Sequence, residues 1–308
     1  MRVFVTRRLP GGALDRLSAE HDVEVWPGPL PPPREELLAR APELEGLLSL
    51  LTDPVDAELI AAAPKLRAIS NYAVGVDNID VEAATARGMP VGNTPGVLTD
   101  TTADLAMALM LGLGRRLVEG DAYVRRGEWR TWEPGLLLGH DLQGATVGIV
   151  GFGRIGQAVA RRLEGFECTV LHTSRSGGLT LEELLERSDF VSVHTPLTPE
   201  TRGLVGEAAL RRMKPTAFLV NTARGPVVDT DALVGALHAG EIAGAALDVT
   251  DPEPLPAGHP LLDAPNLLVL PHLGSATHAT RERMADMAAD NLLAGLRGEP
   301  MPHQVNEV

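Results

Sequence analysis

The sequence predicts an α/β protein built from two Rossmann-like or flavodoxin-like domains with parallel sheets. Three observations predict it. Strand-like and helix-like segments alternate over residues 1–97, the pattern of a helix-flanked parallel sheet. The alternation starts afresh at "ATVGIV", residues 145–150, with a glycine-rich turn directly behind it. The length of 308 residues suits two domains better than one or three.

In the first half, "RVFVT" reads as a strand, "GALDRLSAE" as a helix and "DVEVW" as a second strand. The Pro-rich "PGPLPPPREE" (27–36) is a stiff loop leading into a helix. "PREELLARA", "EGLLSLL", "DAELIAAA", "LRAISN" and "VEAATARG" continue the alternation. "TDTTADLAMALMLGLGRRL" (99–117) breaks it. That stretch is a long helix, capped by a Thr/Asp cluster and apolar around most of its circumference. Such a helix is buried on several sides, as at a domain junction or a subunit interface. Residues 125–143 carry two of the three Trp residues amid Pro and Gly and read as an ordered loop. Strands of the second domain are expected at 145–150, 168–172, 190–194, 217–220, 243–247 and 267–270. The tail, "HATRERMADMAADNLLAGLRGE", is a long amphipathic helix.

Composition narrows the function. Hydrophobic residues make up 44% and aromatics only 3%, so the cores are mostly Leu, Val and Ala. The net charge is 27 − 41 = −14. No basic surplus exists to displace counterions, so no nucleic acid or anionic membrane is an expected partner. A local Arg can still bind a small anion. The longest apolar run, Leu105–Leu113, is half a membrane span, and the N-terminus lacks a signal-peptide core. The single cysteine, Cys168, permits no intrachain disulfide, and its apolar setting gives it a packing role. A cytoplasmic location is expected, and no metal site.

"GIVGFGRIGQAVARRL" (148–163) contains G-x-G-x-x-G as Gly151, Gly153 and Gly156, between an apolar strand and a helix. Gly151 allows the tight turn, Gly153 a close backbone approach to a pyrophosphate, and Gly156 close packing of helix on strand. An NAD site usually places an acid about 20 residues on. Here "VLHTSRSGG" offers Thr173, Ser174 and Arg175 instead. Hydroxyls and a guanidinium bind a 2′-phosphate that a carboxylate would repel. NADP(H) is therefore the preferred cofactor, with NAD(H) possible. The bland alternative is that Arg175 is a solvated loop charge.

Three polar residues follow strands: Arg224 in "LVNTARGPVVD", Glu253 in "LDVTDPEPL" and His272 in "LLVLPHLGSAT". Strand C-termini of open α/β sheets are where ligands bind. Singly, each has a plain reading, as a surface ion pair, a solvated acid and a helix cap.

These segments resemble the D-isomer-specific 2-hydroxyacid dehydrogenase family. "GxGxxGxxxA", "NTARGPVVDTDAL", "LDVTDPEPL" and "PHLGSAT" stand in order at the family's spacing, with "NYAVGVDNID" and "NTPGVLTDTTADLAMAL" before them. Within the family the chain looks most like glyoxylate/hydroxypyruvate reductases, through "NYAVGVDNID", "EWRTWEPGLLLG" and "LLAGLRGEPMP".

The resemblance implies roles. Arg224 would hold the substrate's carboxylate and carbonyl oxygen. His272 would protonate that oxygen as hydride arrives, and Glu253 would hydrogen-bond His272 and favour its charged form. The N–H groups of Val74 and Gly75 would bind the carboxylate, and Asn71 with Tyr72 would shape the substrate pocket. Asp248 would accept from the nicotinamide amide, and Thr222 and Ala223 would line its ribose. Arg154, Ile155 and Gly274 complete the cofactor-facing set. The resemblance also implies a split substrate domain, 1–97 plus 282–308, with a cofactor domain, 98–281, inserted into it. A cleft between them would close and expel water. Residues 99–143 would form much of a homodimer interface. Trp132 would either reach the partner's site or simply pack there.

The expected reaction is reduction of glyoxylate and hydroxypyruvate to glycolate and D-glycerate. No basic residue near 71–77 awaits a substrate phosphate, and a chain ending at Val308 leaves no room for an appended regulatory domain. Both favour a small unphosphorylated keto acid. The rivals are an NAD-linked dehydrogenase of D-lactate, D-glycerate or 3-phosphoglycerate, and a dinucleotide-sensing protein of co-repressor type.

Overall fold

The structure is a computed structural model that describes all 308 residues. The chain divides into two compact units. Unit 1 comprises Met1–Leu98 and Ala276–Val308, and unit 2 comprises Thr99–Ser275. The second crossing thus falls six residues before the expected 281/282. That boundary would cut the first turn of a helix, His278–Arg297, that runs unbroken from its Thr277 cap and belongs to unit 1.

Unit 1 holds five parallel strands: β1 (Arg2–Val5), β2 (Asp22–Val25), β3 (Gly46–Ser49), β4 (Ala68–Asn71) and β5 (Val91–Gly92). Their order is β2-β1-β3-β4-β5, the flavodoxin-like arrangement. Side chains alternate across the sheet as the strand period of two requires. Val3, Val5, Leu48 and Ala68 face a core with Leu17 of α1 (Ala13–Glu20) and Leu292 of the C-terminal helix. Phe4, Leu47 and Ile69 face a second core with α2 (Arg34–Arg40), α3 (Ala57–Ala62) and α4 (Val81–Ala86).

Unit 2 opens with α5 (Thr99–Gly114). Its buried residues pack against the unit's own sheet and first crossover helix, so it needs neither a junction nor a subunit contact to be covered. The expected single helix to residue 117 breaks at Arg116, which adopts a left-handed backbone with φ +52°. A separate helix, α6 (Leu117–Arg125), follows. Residues 126–145 form no helix or strand, as expected of the Trp-bearing loop.

The sheet of unit 2 contains β6 (Thr146–Val150), β7 (Thr169–Ser174), β8 (Gly177–Gly178), β9 (Phe190–Val193), β10 (Phe218–Asn221), β11 (Gly244–Leu247) and β12 (Leu267–Val269). The order is β12-β11-β10-β9-β6-β7-β8, and every pairing is parallel except β7–β8. The first crossover, α7 (Arg154–Leu163), and α5 cover Val147, Ile149, Phe218 and Val220. On the other face α8 (Leu181–Arg187), α9 (Glu207–Leu210) and α10 (Thr230–Ala239) cover Val150, Val191, Leu219 and Leu247. The chain winds from β6 to β7 in one direction and resumes at β9 in the other. β6 and β9 therefore flank the switch point at which such sheets bind ligands. Helix α11 (His278–Arg297) returns the chain to unit 1, and no helix is long and apolar enough to cross a membrane.

Candidate active site

The six parallel strands of unit 2 end on one edge, and the residues singled out in the sequence follow those ends. After β6 the chain turns at Gly151, whose φ is +95°. A Cβ there would lie 2.6 Å from the Thr195 N and 2.7 Å from the His194 carbonyl carbon, so only glycine fits. A Cβ on Gly156 would strike the Gly151 carbonyl, whereas one on Gly153 would meet nothing. The turn is thus tight beneath and open outward. Gly153 caps α7 without any side-chain hydrogen bond. The first N–H groups of the helix, on Arg154, Ile155 and Gly156, face outward with the positive end of the helix dipole. This arrangement fits a pyrophosphate.

The neighbouring strand β7 carries Thr173 and Ser174 at its end, and the Gly151 N–H donates to the Thr173 carbonyl at 2.9 Å. β7 then folds back onto β8 with Ser174 opposite Gly177. The expected loop is a two-residue hairpin with Arg175 and Ser176 exposed at its tip. The Ser174 hydroxyl lies 3.0 Å from that of Ser176 and donates to the Gly177 carbonyl at 3.0 Å. Sequence reasoning missed the support beneath: the rings of Phe152 and His172 stack at 4.0 Å. A stacked pair beside the glycine turn holds the end of β7 against it.

Beyond β9 stands His194, also missed. Ser192 Oγ lies 2.8 Å from its Nε2 and Thr222 Oγ1 lies 3.4 Å from its Nδ1. Burial pushes its pKa down to about 4, so the ring is neutral at physiological pH and can orient Thr222.

Arg224 follows β10. Asn221, fully buried, holds the bend at both ends: its Oδ1 accepts from the Ala223 N–H at 3.0 Å and its Nδ2 donates to the Arg224 carbonyl at 2.9 Å. Arg224 Nη1 donates to the Ala223 carbonyl at 2.8 Å. A Cβ on Gly225 would collide with the Thr250 carbonyl, so glycine lets this bend lie against the segment that carries Glu253. A polar Asn closing an apolar strand was the available signal for Asn221, but its partners lie in a bend that periodicity does not describe.

Glu253 and His272, nineteen residues apart, meet: Glu253 Oε1 lies 2.6 Å from His272 Nδ1. Both side chains are partly exposed. Glu253 sits in a loop with cis peptide bonds before Pro252 and Pro254. His272 has a left-handed backbone, φ +57°, a conformation that costs a non-glycine residue energy and persists where its surroundings enforce it. Asp248 enforces it. Its carbonyl accepts the His272 N–H at 2.9 Å, and its carboxylate accepts the N–H groups of Leu273 at 2.6 Å and Gly274 at 2.8 Å. Burial raises the Asp248 pKa, and the two N–H donors oppose the rise. Thr102 adds a hydrogen bond to the Gly274 carbonyl at 3.0 Å. Asp248 was expected to serve a nicotinamide; its carboxylate is already engaged in shaping the His272 loop.

The remaining candidates, Asn71, Val74 and Gly75, lie in unit 1 at the exit of β4. Asn71 is fully buried, and Val74 and Gly75 are half-buried in the loop after it. The Tyr72 hydroxyl donates to the Arg281 carbonyl at 2.7 Å.

In unit 2, an anion-ready helix start lies on one side of the switch point and a carboxylate-backed imidazole on the other, an arrangement that suits an α/β oxidoreductase using a nicotinamide dinucleotide. Residues 107–274 match the model of the D-isomer specific 2-hydroxyacid dehydrogenase NAD binding domain. A glyoxylate reductase of Korarchaeum cryptofilum is 52% identical over 99% of this chain and 96% of its own. The crystal structure of a protein from Thermus thermophilus superposes with a TM-score of 0.94 at 53% identity, covering 99% of this chain and 100% of that one. An NADPH-dependent glyoxylate/hydroxypyruvate reductase of Sinorhizobium meliloti, solved with NADP and malonate, gives 0.85 at 34% identity over 99% of this chain and 96% of its own. The chain belongs to the D-isomer specific 2-hydroxyacid dehydrogenase family and is similar to glyoxylate reductases.

Proposed function

We propose that the protein reduces glyoxylate and hydroxypyruvate to glycolate and D-glycerate, with NADPH as the preferred reductant. The observation that carries the reading is the 2.6 Å contact of Glu253 Oε1 with His272 Nδ1. With Nδ1 turned to the carboxylate, Nε2 is the nitrogen left to hold and deliver a proton. The nicotinamide, when bound, supplies hydride to the carbonyl carbon. His272 Nε2 delivers a proton to the carbonyl oxygen, which becomes the hydroxyl. Arg224, a planar charged donor, binds the carboxylate and polarises the same oxygen. Val74 and Gly75 offer backbone N–H groups to the carboxylate.

The preference for NADPH rests on the tip of the β7–β8 hairpin. Ser174, Arg175 and Ser176 lie there with no acid at the end of β7 itself, and the NADPH-dependent relative lends support; the nearby Glu200, whose pKa Arg175 helps lower, leaves the guanidinium charged. Asp248 holds the proton donor's loop and can accept one further donor from the cofactor, since a carboxylate offers about four acceptor positions. We further assign the arm 117–138 to a homodimer. Helix α6 has no buried residue, and Leu117, Val118, Val124, Trp129, Trp132 and Leu138 are all more than half exposed.

Initial rates on glyoxylate, hydroxypyruvate and pyruvate, each with NADPH and NADH, test the reading. Turnover is expected to be fastest on the first two with NADPH. Absence of turnover with every pair would refute it.

A further inference from the structure

In unit 1, four successive carbonyls are held in place after β4. The Ala73 carbonyl accepts the Thr94 N–H at 2.9 Å, and the Val76 carbonyl accepts the Ile79 N–H at 2.9 Å. The two between them are held by side-chain amides. Asn93 Nδ2 donates to the Val74 carbonyl at 2.7 Å, and Asn71 Nδ2 donates to the Gly75 carbonyl at 2.9 Å. By contrast, the N–H groups of Val74, Gly75 and Val76 donate to no acceptor in unit 1.

The peptide plane connects these facts. In a trans peptide the carbonyl and the following N–H are coplanar and point in opposite directions. Holding the Ala73 carbonyl aims the Val74 N–H. Asn93, by holding the Val74 carbonyl, aims the Gly75 N–H. Asn71, by holding the Gly75 carbonyl, aims the Val76 N–H. Three consecutive N–H groups, each opposite an anchored carbonyl and without an acceptor in unit 1, are left available to an anion.

The anchors are themselves braced. Asn71 Oδ1 accepts from Ser49 Oγ at 3.1 Å, and its Nδ2 also donates to Asn78 Oδ1 at 3.0 Å. Asn78 Nδ2 donates to the carbonyls of Leu50 at 3.0 Å and Asp53 at 2.9 Å. Asn291 Nδ2 donates to the Asn93 carbonyl at 2.8 Å. Both N–H bonds of the buried Asn71 amide are therefore spent inside the protein.

We propose that Asn93 and Asn71 are positioning residues for the substrate's carboxylate: they set the directions of the Gly75 and Val76 N–H groups and do not bind the substrate themselves. The inference rests on the keto-acid reading above and adds Val76 as a third donor.

The test combines amide NMR of the full chain titrated with oxalate and steady-state kinetics on glyoxylate. In the wild type, oxalate is expected to move the Val74, Gly75 and Val76 amide signals. Asn93→Ala should weaken oxalate about tenfold or more and raise the glyoxylate KM in step, the loss of roughly one hydrogen bond's worth of preorganisation. The kcat should change less, and NADPH affinity should hold. Asn93→Asp keeps the shape but cannot donate when ionised. It should show the same loss at pH 7 should the alanine variant fold poorly. The inference is overturned if oxalate leaves the three amides unmoved in the wild type. It is also overturned if both variants bind oxalate normally, or if oxalate and NADPH affinity fall together. A wild type that shows the oxalate shifts but turns over no keto acid would refute the reductase reading and leave the anion-positioning role standing.

Discussion

Asp248 holds His272 through the backbone: the Asp248 carbonyl accepts the His272 N–H at 2.9 Å, and its carboxylate accepts the next two N–H groups. The left-handed φ of His272 is thereby locked from both sides. Asp248→Asn replaces one acceptor oxygen by a donor and leaves either the part-buried N–H of Leu273 or the buried N–H of Gly274 unpaired. The expected cost is about 1–3 kcal/mol of stability, read by urea unfolding, together with a fall in kcat. Wild-type stability and kcat in this variant would show that the loop holds itself.

His272→Ala removes the proton donor and keeps the Asp248 contacts to the following residues. The reduction rate should fall about 10²–10⁴-fold, while NADPH affinity, measured by fluorescence titration, stays within a few-fold. Surviving activity would assign the proton to another group.

Arg175→Ala tests the cofactor choice. Losing a charge-assisted hydrogen bond to the 2′-phosphate costs about 1.5–3 kcal/mol, so the KM for NADPH should rise roughly 10- to 150-fold and that for NADH hardly at all. Equal changes in both would mean Arg175 reads no 2′-phosphate.

His194 makes stability depend on pH. Its pKa is about 4 in the folded protein against 6.5 ordinarily. Between these values the unfolded chain binds a proton that the native state excludes. The contribution is therefore complete above pH 6.5 and is lost as pH falls toward 4, up to about 3 kcal/mol. His194→Gln should flatten the difference in unfolding free energy between pH 7 and pH 4.5. An unchanged slope would show that the ring is protonated without penalty.

Charge on the exposed arm tests the dimer. Leu117→Glu combined with Trp132→Glu should shift sedimentation to a monomer, because two carboxylates would be desolvated at an apolar contact. Trp132 is 78% exposed in the single chain, so folding of the monomer should survive. An unshifted sedimentation coefficient would place the interface elsewhere.

The features legible in the chain alone are those that depend on near neighbours. Short, nearly continuous apolar runs marked β6, β10 and β11 to within a residue or two, as in a sheet covered on both faces, and the G-x-G-x-x-G spacing marked the turn at Gly151 because a tight turn and a close helix are local demands. The meeting of Glu253 with His272 was legible only through motif resemblance. Which residue holds which was decided by the assembled sheets. Asp248 reaches Leu273 and Gly274 because β11 and β12 lie side by side. Asn93 reaches Val74 because β5 pairs with β4. His194 meets Thr222 because β9 pairs with β10. Such hydrogen bonds join residues brought together by strand order, and strand order is set by packing over the whole sheet rather than by any short stretch of chain.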